Sequence, residues 1–197
     1  GERIFITSLD HSVFAVDTAT LEVVWHEDLK GAIPGAPVLG ADGMLYVGSL
    51  ASQLEQFDPK TGKHKTVLDA EYWIWNTPTV DGETLYFGDL KGNFYSFNTS
   101  TAELNWSIQP DGPITAGAIL QNGHLLLATE SGNIYAIGKD GSILWFEDVK
   151  GENAKGKIYA TPVIAGDFIL VAPLETGFYL TALDSNGRQV WSFPQEK

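Results

Sequence analysis

One pattern of short strands recurs along the whole chain about every 40 residues. Its clearest segment is an alternating strand, a turn and a further strand that closes on Trp. The copies are Val13-Phe14-Ala15-Val16-Asp17 leading to Trp25, Leu54-Glu55-Gln56-Phe57-Asp58 leading to Thr66, and Phe94-Tyr95-Ser96-Phe97-Asn98 leading to Trp106. Ile134-Tyr135-Ala136-Ile137-Gly138 leads to Trp145, and Leu180-Thr181-Ala182-Leu183-Asp184 leads to Trp191. An apolar strand ending in a small residue precedes most copies, as in Leu45-Tyr46-Val47-Gly48, Leu85-Tyr86-Phe87-Gly88 and Leu125-Leu126-Leu127-Ala128. A first strand reads Gly35-Ala36-Pro37-Val38, Asn76-Thr77-Pro78-Thr79-Val80, Ala116-Gly117-Ala118-Ile119 and Ala160-Thr161-Pro162-Val163-Ile164. Asp42-Gly43, Asp81-Gly82 and Asn122-Gly123 supply the positive φ angles that tight hairpins need.

Four antiparallel strands per repeat predict a propeller blade, which cannot bury both faces alone and covers them by packing on a neighbour at each side. The fold class is all-β: a β-propeller of four full four-stranded blades plus a three-stranded partial blade, because strand one has four copies and strands two to four have five. The chain reads as a single domain with repeats at about 1–30, 31–70, 71–111, 112–150 and 151–197. The last spacing is longer, and an inserted loop is expected over Gly151 to Lys157.

The Ala15-Asp17-Trp25 set, and Ala182-Asp184-Asn186-Gly187-Trp191 with one residue fewer, resemble the Trp-docking motif of the pyrroloquinoline-quinone-like repeats. Leu21 stands where that motif has Gly, and Asp58-Pro59-Lys60-Thr61-Gly62 has the turn without the Trp. The resemblance implies that Trp25, Trp106, Trp145 and Trp191 are structural, each tying its blade to the next. Thr66 breaks the series, so the interface after the second repeat is expected to be the weaker one. Members of the family have seven or eight blades, so these residues read as part of a larger propeller, with a closed five-bladed ring as the alternative.

The family includes quinoprotein dehydrogenases with an adjacent Cys pair and a calcium site. This chain has no Cys and no recognisable ligand set, so no cofactor and no catalytic residue is expected. Its four His, His11, His26, His64 and His124, have no metal-ligand spacing. A net charge of −13 argues against nucleic acid, which needs a basic surface. No apolar run approaches the ~20 residues of a membrane helix. The resemblance implies a non-catalytic scaffold that binds a protein partner in an extracytoplasmic, periplasmic or extracellular setting. That is the role of the family's branch in bacterial outer-membrane β-barrel assembly, with any lipid or membrane anchor outside these residues. A quinoprotein dehydrogenase fragment and the ligand-sensing ectodomain of a receptor or kinase are the alternatives.

Two features point to a binding surface. Tyr72, Trp73 and Trp75 lie between an outer strand and the next inner strand, and no other repeat has two Trp there. They either present an aromatic rim or fill the space that Thr66 leaves. Turns between strands two and three carry Asp10, Asp89, Glu130 and Glu175, an acidic set expected on one face that would attract a basic peptide or a cation.

Overall fold

The computed structural model describes residues 2–150 and 155–194. The first sheet contains β1 (Arg3–Thr7), β2 (Ser12–Asp17) and β3 (Val23–Asp28). The second runs β4 (Val38–Leu39), β5 (Leu45–Gly48), β6 (Gln53–Phe57) and β7 (His64–Asp69). The third contains β8 (Thr79–Asp81), β9 (Thr84–Gly88), β10 (Phe94–Asn98) and β11 (Glu103–Ile108). The fourth contains β12 (Ile119–Gln121), β13 (His124–Ala128), β14 (Asn133–Gly138) and β15 (Ile143–Asp148). The fifth contains β16 (Val163–Ala165), β17 (Phe168–Val171), β18 (Leu180–Leu183) and β19 (Gln189–Phe193). Every pairing is antiparallel between sequence neighbours, which is the blade meander. The loop expected at Gly151 to Lys157 falls mostly outside the described residues. Of its end, Lys157 pairs with Leu174 in an isolated bridge.

The apolar core lies between the sheets. Val13, Ala15 and Trp25 of the first sheet meet Leu45, Val47 and Phe57 of the second. Tyr46 and Leu54 turn the other way, onto Leu85 and Phe87 of the third. Tyr86 and Phe94 meet Leu125, Leu127 and Tyr135, and Leu126 and Ile134 meet Ile169, Val171 and Leu183. Successive side chains on a strand point to opposite faces. A strand enclosed on both sides is therefore apolar at every position, which explains the unbroken runs in β5, β9 and β13.

The end sheets show the converse. Ile4 and Ile6, at the repeat positions of Leu45 and Val47, are 52% and 45% exposed. In the fifth sheet Val163, Tyr179, Val190 and Phe193 are exposed. Among the described residues no backbone hydrogen bond and no strand pairing joins the first sheet to the fifth. The structure is a partial propeller with an open sheet face at each end.

The indoles tie blades together in one direction. Trp25 Nε1 donates to Pro59 O of the second blade at 3.0 Å, and Trp106 Nε1 donates to Lys139 O of the fourth at 2.8 Å. Lys139 also pairs its ammonium with Asp81 of the third blade. Each ring covers a turn glycine in the following blade: Trp25 lies over Gly62, Trp106 over Gly141 and Trp145 over Gly187. Trp191 has no following blade among the described residues, and its aromatic contact is with Phe168 of its own sheet, at 6.3 Å.

A β-bulge aims each indole. In four blades the outer strand has an extra residue just before the Trp, so that Trp25 faces Ala15, Trp106 faces Ser96, Trp145 faces Ala136 and Trp191 faces Ala182. In the second blade the irregularity lies further along, between Leu54 and Glu55. Lys65 therefore stands opposite Gln56, in the indole's place, and Thr66 stands opposite Glu55 on the other face. The sequence alignment had put Thr66 at the docking position, and the shifted bulge corrects this to Lys65. At this interface Tyr46 donates to Asp42 at 2.9 Å, and Gln56 Nε2 donates to the Tyr46 hydroxyl at 2.8 Å. Thr66 instead donates to the buried Glu55 at 2.6 Å.

The turns explain an expected acid sensitivity. Asp17 accepts from the N–H groups of Ala19 and Thr20, Asp58 from that of Lys60, and Asp140 from the hydroxyl and N–H of Ser142. These bonds favour the carboxylate and hold all three below the ordinary value of 3.8. A depressed carboxyl contributes stability above its unfolded value and loses that contribution as pH falls through the folded one. Thermal midpoints should therefore drop progressively between roughly pH 5 and pH 2, read by circular dichroism. Asp58→Asn should flatten the drop, and an unchanged slope would remove these turns as its source.

Candidate functional site

Turns between strands two and three and the loops between blades emerge on one face, because alternate strand ends of a meander share an edge. The first three of these loops are hydrogen-bonded to two blades, and the fourth to the blade that follows it. Ala32 O, Trp73 O, Pro113 O and Lys157 O accept from Leu50 N, Leu90 N, Glu130 N and Leu174 N. The following residue donates backwards: Ile33 N to Ser8 O, Ile74 N to Ser49 O and Ile114 N to Asp89 O. Ile33, Ile74, Ile114 and Ile158 are buried at one repeat position. Ile74 and Ile114 press on Gly48 and Gly88, where a Cβ would come within 2.3 Å of each. The small residue that ends strand two is therefore required by the isoleucine of the next loop. Sequence reading passed over these isoleucines, although their spacing follows the repeat.

The loop at residues 70–78 presents the aromatic group. Ile74 and Asn76 point inward and are buried, whereas Tyr72, Trp73 and Trp75 are each about two-fifths exposed. Tyr72 and Trp73 stack at 5.1 Å with an interplanar angle of 21°. A shallow depression of about 480 Å³ beside them is lined by Glu71, Tyr72, Leu90 and Lys91. Lys91 is paired with Glu71 across it. Neither Trp73 nor Trp75 belongs to the cluster between the second and third blades, where Val67 and Leu68 pack instead. Neither indole therefore fills the space beside Thr66. Asn76 anchors the loop: its Nδ2 donates to Gly88 O at 2.8 Å and Ile114 O at 3.0 Å, and its Oδ1 accepts from Gly88 N at 3.1 Å.

The acidic set does not form a ring. Asp89 is completely buried. It accepts from Lys91 N, Asn93 N, Asn93 Nδ2 and the Tyr95 hydroxyl at 2.8–3.0 Å, and so braces its own turn. Burial pushes the Tyr95 phenol well above its ordinary value, and the Asp89 carboxylate adds to that. Glu130 lies 3.9 Å from Lys157, at a different turn position. Asp10 and Glu175 are exposed, and Glu175 has a φ of 58°. The residue that does recur at the second turn position is Leu: Leu9, Leu50, Leu90 and Leu174. Leu9 and Leu174 are exposed, as is Tyr159, the repeat counterpart of Trp75. This face is therefore apolar and aromatic, with scattered charges. Among the described residues no group of three His, Asp or Glu could hold a metal ion, and no helix is long and apolar enough to cross a membrane.

Residues 9–120 and 109–197 both match the family described as outer membrane protein assembly factor BamB. The crystal structure of BamB from Moraxella catarrhalis matches with a TM-score of 0.81 and 16% identity, over 98% of this chain and 61% of that one. The computationally designed Ika8 protein matches with a TM-score of 0.74 and 13% identity, over 98% of this chain and 56% of that one. This chain thus spans less than two thirds of either structure, and at such identities the likeness is one of fold. No curated protein matches. With two overlapping stretches covering almost every residue, the chain belongs to the pyrroloquinoline-quinone-like repeat family of outer membrane protein assembly factor BamB.

Proposed function

We propose that this chain is a non-catalytic, protein-binding part of a single propeller domain, acting outside the cytoplasm in outer-membrane protein assembly. Its partner docks on the loop face around Tyr72, Trp73 and Trp75, with Glu130 and Glu175 at the margin of the contact. One observation carries this reading. Three large aromatic side chains stand open to solvent on a loop whose backbone, Ile74 and Asn76 are fixed by buried hydrogen bonds. Rigid aromatic groups contribute much of the energy of protein interfaces, because they bury large area at little conformational cost. The family match supports the assembly role and the extracytoplasmic setting. Any lipid or membrane anchor would lie outside these residues.

The test is crosslinking in the bacterium that makes the protein. A photo-reactive residue at Trp75 or Tyr72 should trap one outer-membrane assembly protein, whereas one at Asp42 or Asn122, in the hairpins of the opposite face, should not. Trp73→Ala with Trp75→Ala should weaken that complex by roughly 30-fold or more, at about 2 kcal/mol for a single anchor. It should leave the thermal midpoint nearly unchanged. Equal trapping from both faces would sink the proposal, as would dye reduction after loading with quinone and calcium.

A further inference from the structure

The two open sheet faces differ in what they can receive. All five turns between strands three and four place one residue at positive φ: Leu21 (59°), Gly62 (76°), Ala102 (58°), Gly141 (86°) and Gly187 (83°). The three glycines are those under an indole from the preceding blade. An added Cβ would lie 2.9 Å from Trp25 at Gly62, 3.0 Å from Trp106 at Gly141 and 2.5 Å from Trp145 at Gly187. Ala102 follows the second blade, whose outer strand offers Lys65 and no indole. The side chain at this turn position thus reports on the blade before it: glycine where an indole arrives, and a Cβ where none does. Glycine adopts positive φ without strain, so a residue with a Cβ persists there only where nothing needs the space.

Leu21 is the corresponding residue of the first blade and is 77% exposed. Beside it, Ile4 and Ile6 hold the positions that in later blades are buried against the preceding sheet. From this geometry we infer that the first blade's open face takes a further blade of the same repeat type whose outer strand carries no indole at the docking position. A second copy of this chain does not fit there, because its fifth blade would drive Trp191 onto Leu21. The fifth blade's face, with Trp191 unseated, takes a blade with glycine in that turn. The Moraxella BamB structure, only 61% of which is matched, has chain beyond the matched part for such neighbours.

Two chimeras test the inference. Gly82-Glu83-Thr84 has the repeat place of Gly1-Glu2-Arg3, and Glu2 O accepts from Thr18 N as Glu83 O does from Thr99 N. A copy of residues 31–81 joined ahead of Gly1 therefore supplies a blade with Lys65 in place of a docking indole and the inner strand for the first blade; Trp73 and Trp75 are common to both copies. A copy of residues 71–121 supplies the same elements with the indole of Trp106. The first chimera should melt about 5 °C or more above the parent chain. The second should match that gain only with Leu21→Gly, a change that should give the first chimera no more than it gives the parent. The inference falls if the indole-bearing copy gains as much with Leu21 intact, or if Leu21→Gly does not rescue it. It also falls if the first chimera gains nothing, or if the parent chain self-associates with Trp191 buried and Trp191→Ala abolishes that association.

Discussion

Replacing Trp25 by alanine should destabilise the chain by about 3–5 kcal/mol, the cost of deleting a buried aromatic side chain and leaving a cavity. The ring is 9% exposed. It stacks on Phe57 at 6.0 Å and tilts against Phe5 at 5.9 Å, so that its loss opens the first interface on both sides. It also leaves Pro59 O with Arg3 as its remaining partner, at 2.7 Å. Trp25→Phe keeps the stack and gives up the indole hydrogen bond, so it should cost less, by the area argument and about 1 kcal/mol for the bond. Lys65→Ala is the matched control. It occupies the same place in the second blade but is exposed, and should change stability by less than about 0.5 kcal/mol. Urea denaturation gives all three values. Because each repeat contacts only its neighbours, hydrogen exchange in the Trp25→Ala protein should quicken first in the first two sheets. Equal losses for Trp25→Ala and Lys65→Ala would contradict the docking geometry.

Asn76→Ala should cost about 2–4 kcal/mol without removing any apolar contact. The amide of Asn76 is buried and serves Gly88 N, Gly88 O and Ile114 O. Without it, backbone groups of two blades lose partners in a place closed to water, and each unsatisfied group costs about 1–3 kcal/mol. Asn76→Asp should be worse than Asn76→Ala, because a carboxylate turns an oxygen toward the two carbonyls that the amide nitrogen had served. Chemical denaturation measures the loss, and faster exchange at Gly88 N–H would place it. An Asn76→Ala protein as stable as the parent would show that these bonds add nothing to the fold. The same substitution should loosen the loop carrying Tyr72, Trp73 and Trp75, and so weaken partner binding even though Asn76 is not on the surface.

How much of the site was legible depends on the kind of signal. Trp73 and Trp75 stood out because no other repeat has such a pair, and each is about two-fifths exposed. Asp89 was read as a surface carboxylate because it lies in a turn, yet Asn93 and Tyr95 close over it. Turn residues are exposed on average, but four donors converging on one carboxylate is a matter of side-chain packing that spacing does not encode. Asn76 was passed over for the opposite reason. It occupies a repeat position that holds Gly35, Ala116 and Ala160 elsewhere, and its partners lie in two different blades.

By itself, the sequence determined the number of sheets and the strand order within each. Those follow from local rules: alternation along a strand, positive φ at tight turns and a period that returns the same side chains to the same places. Only the tertiary structure decided which way each side chain faces a neighbour. One bulge shifted along β7 exchanged Lys65 for Thr66 at a blade interface, and the absence of an adjoining sheet among the described residues leaves Ile4 and Ile6 exposed. Burial belongs to pairs of sheets, so a reading of single strands can count the blades but cannot tell which faces are covered.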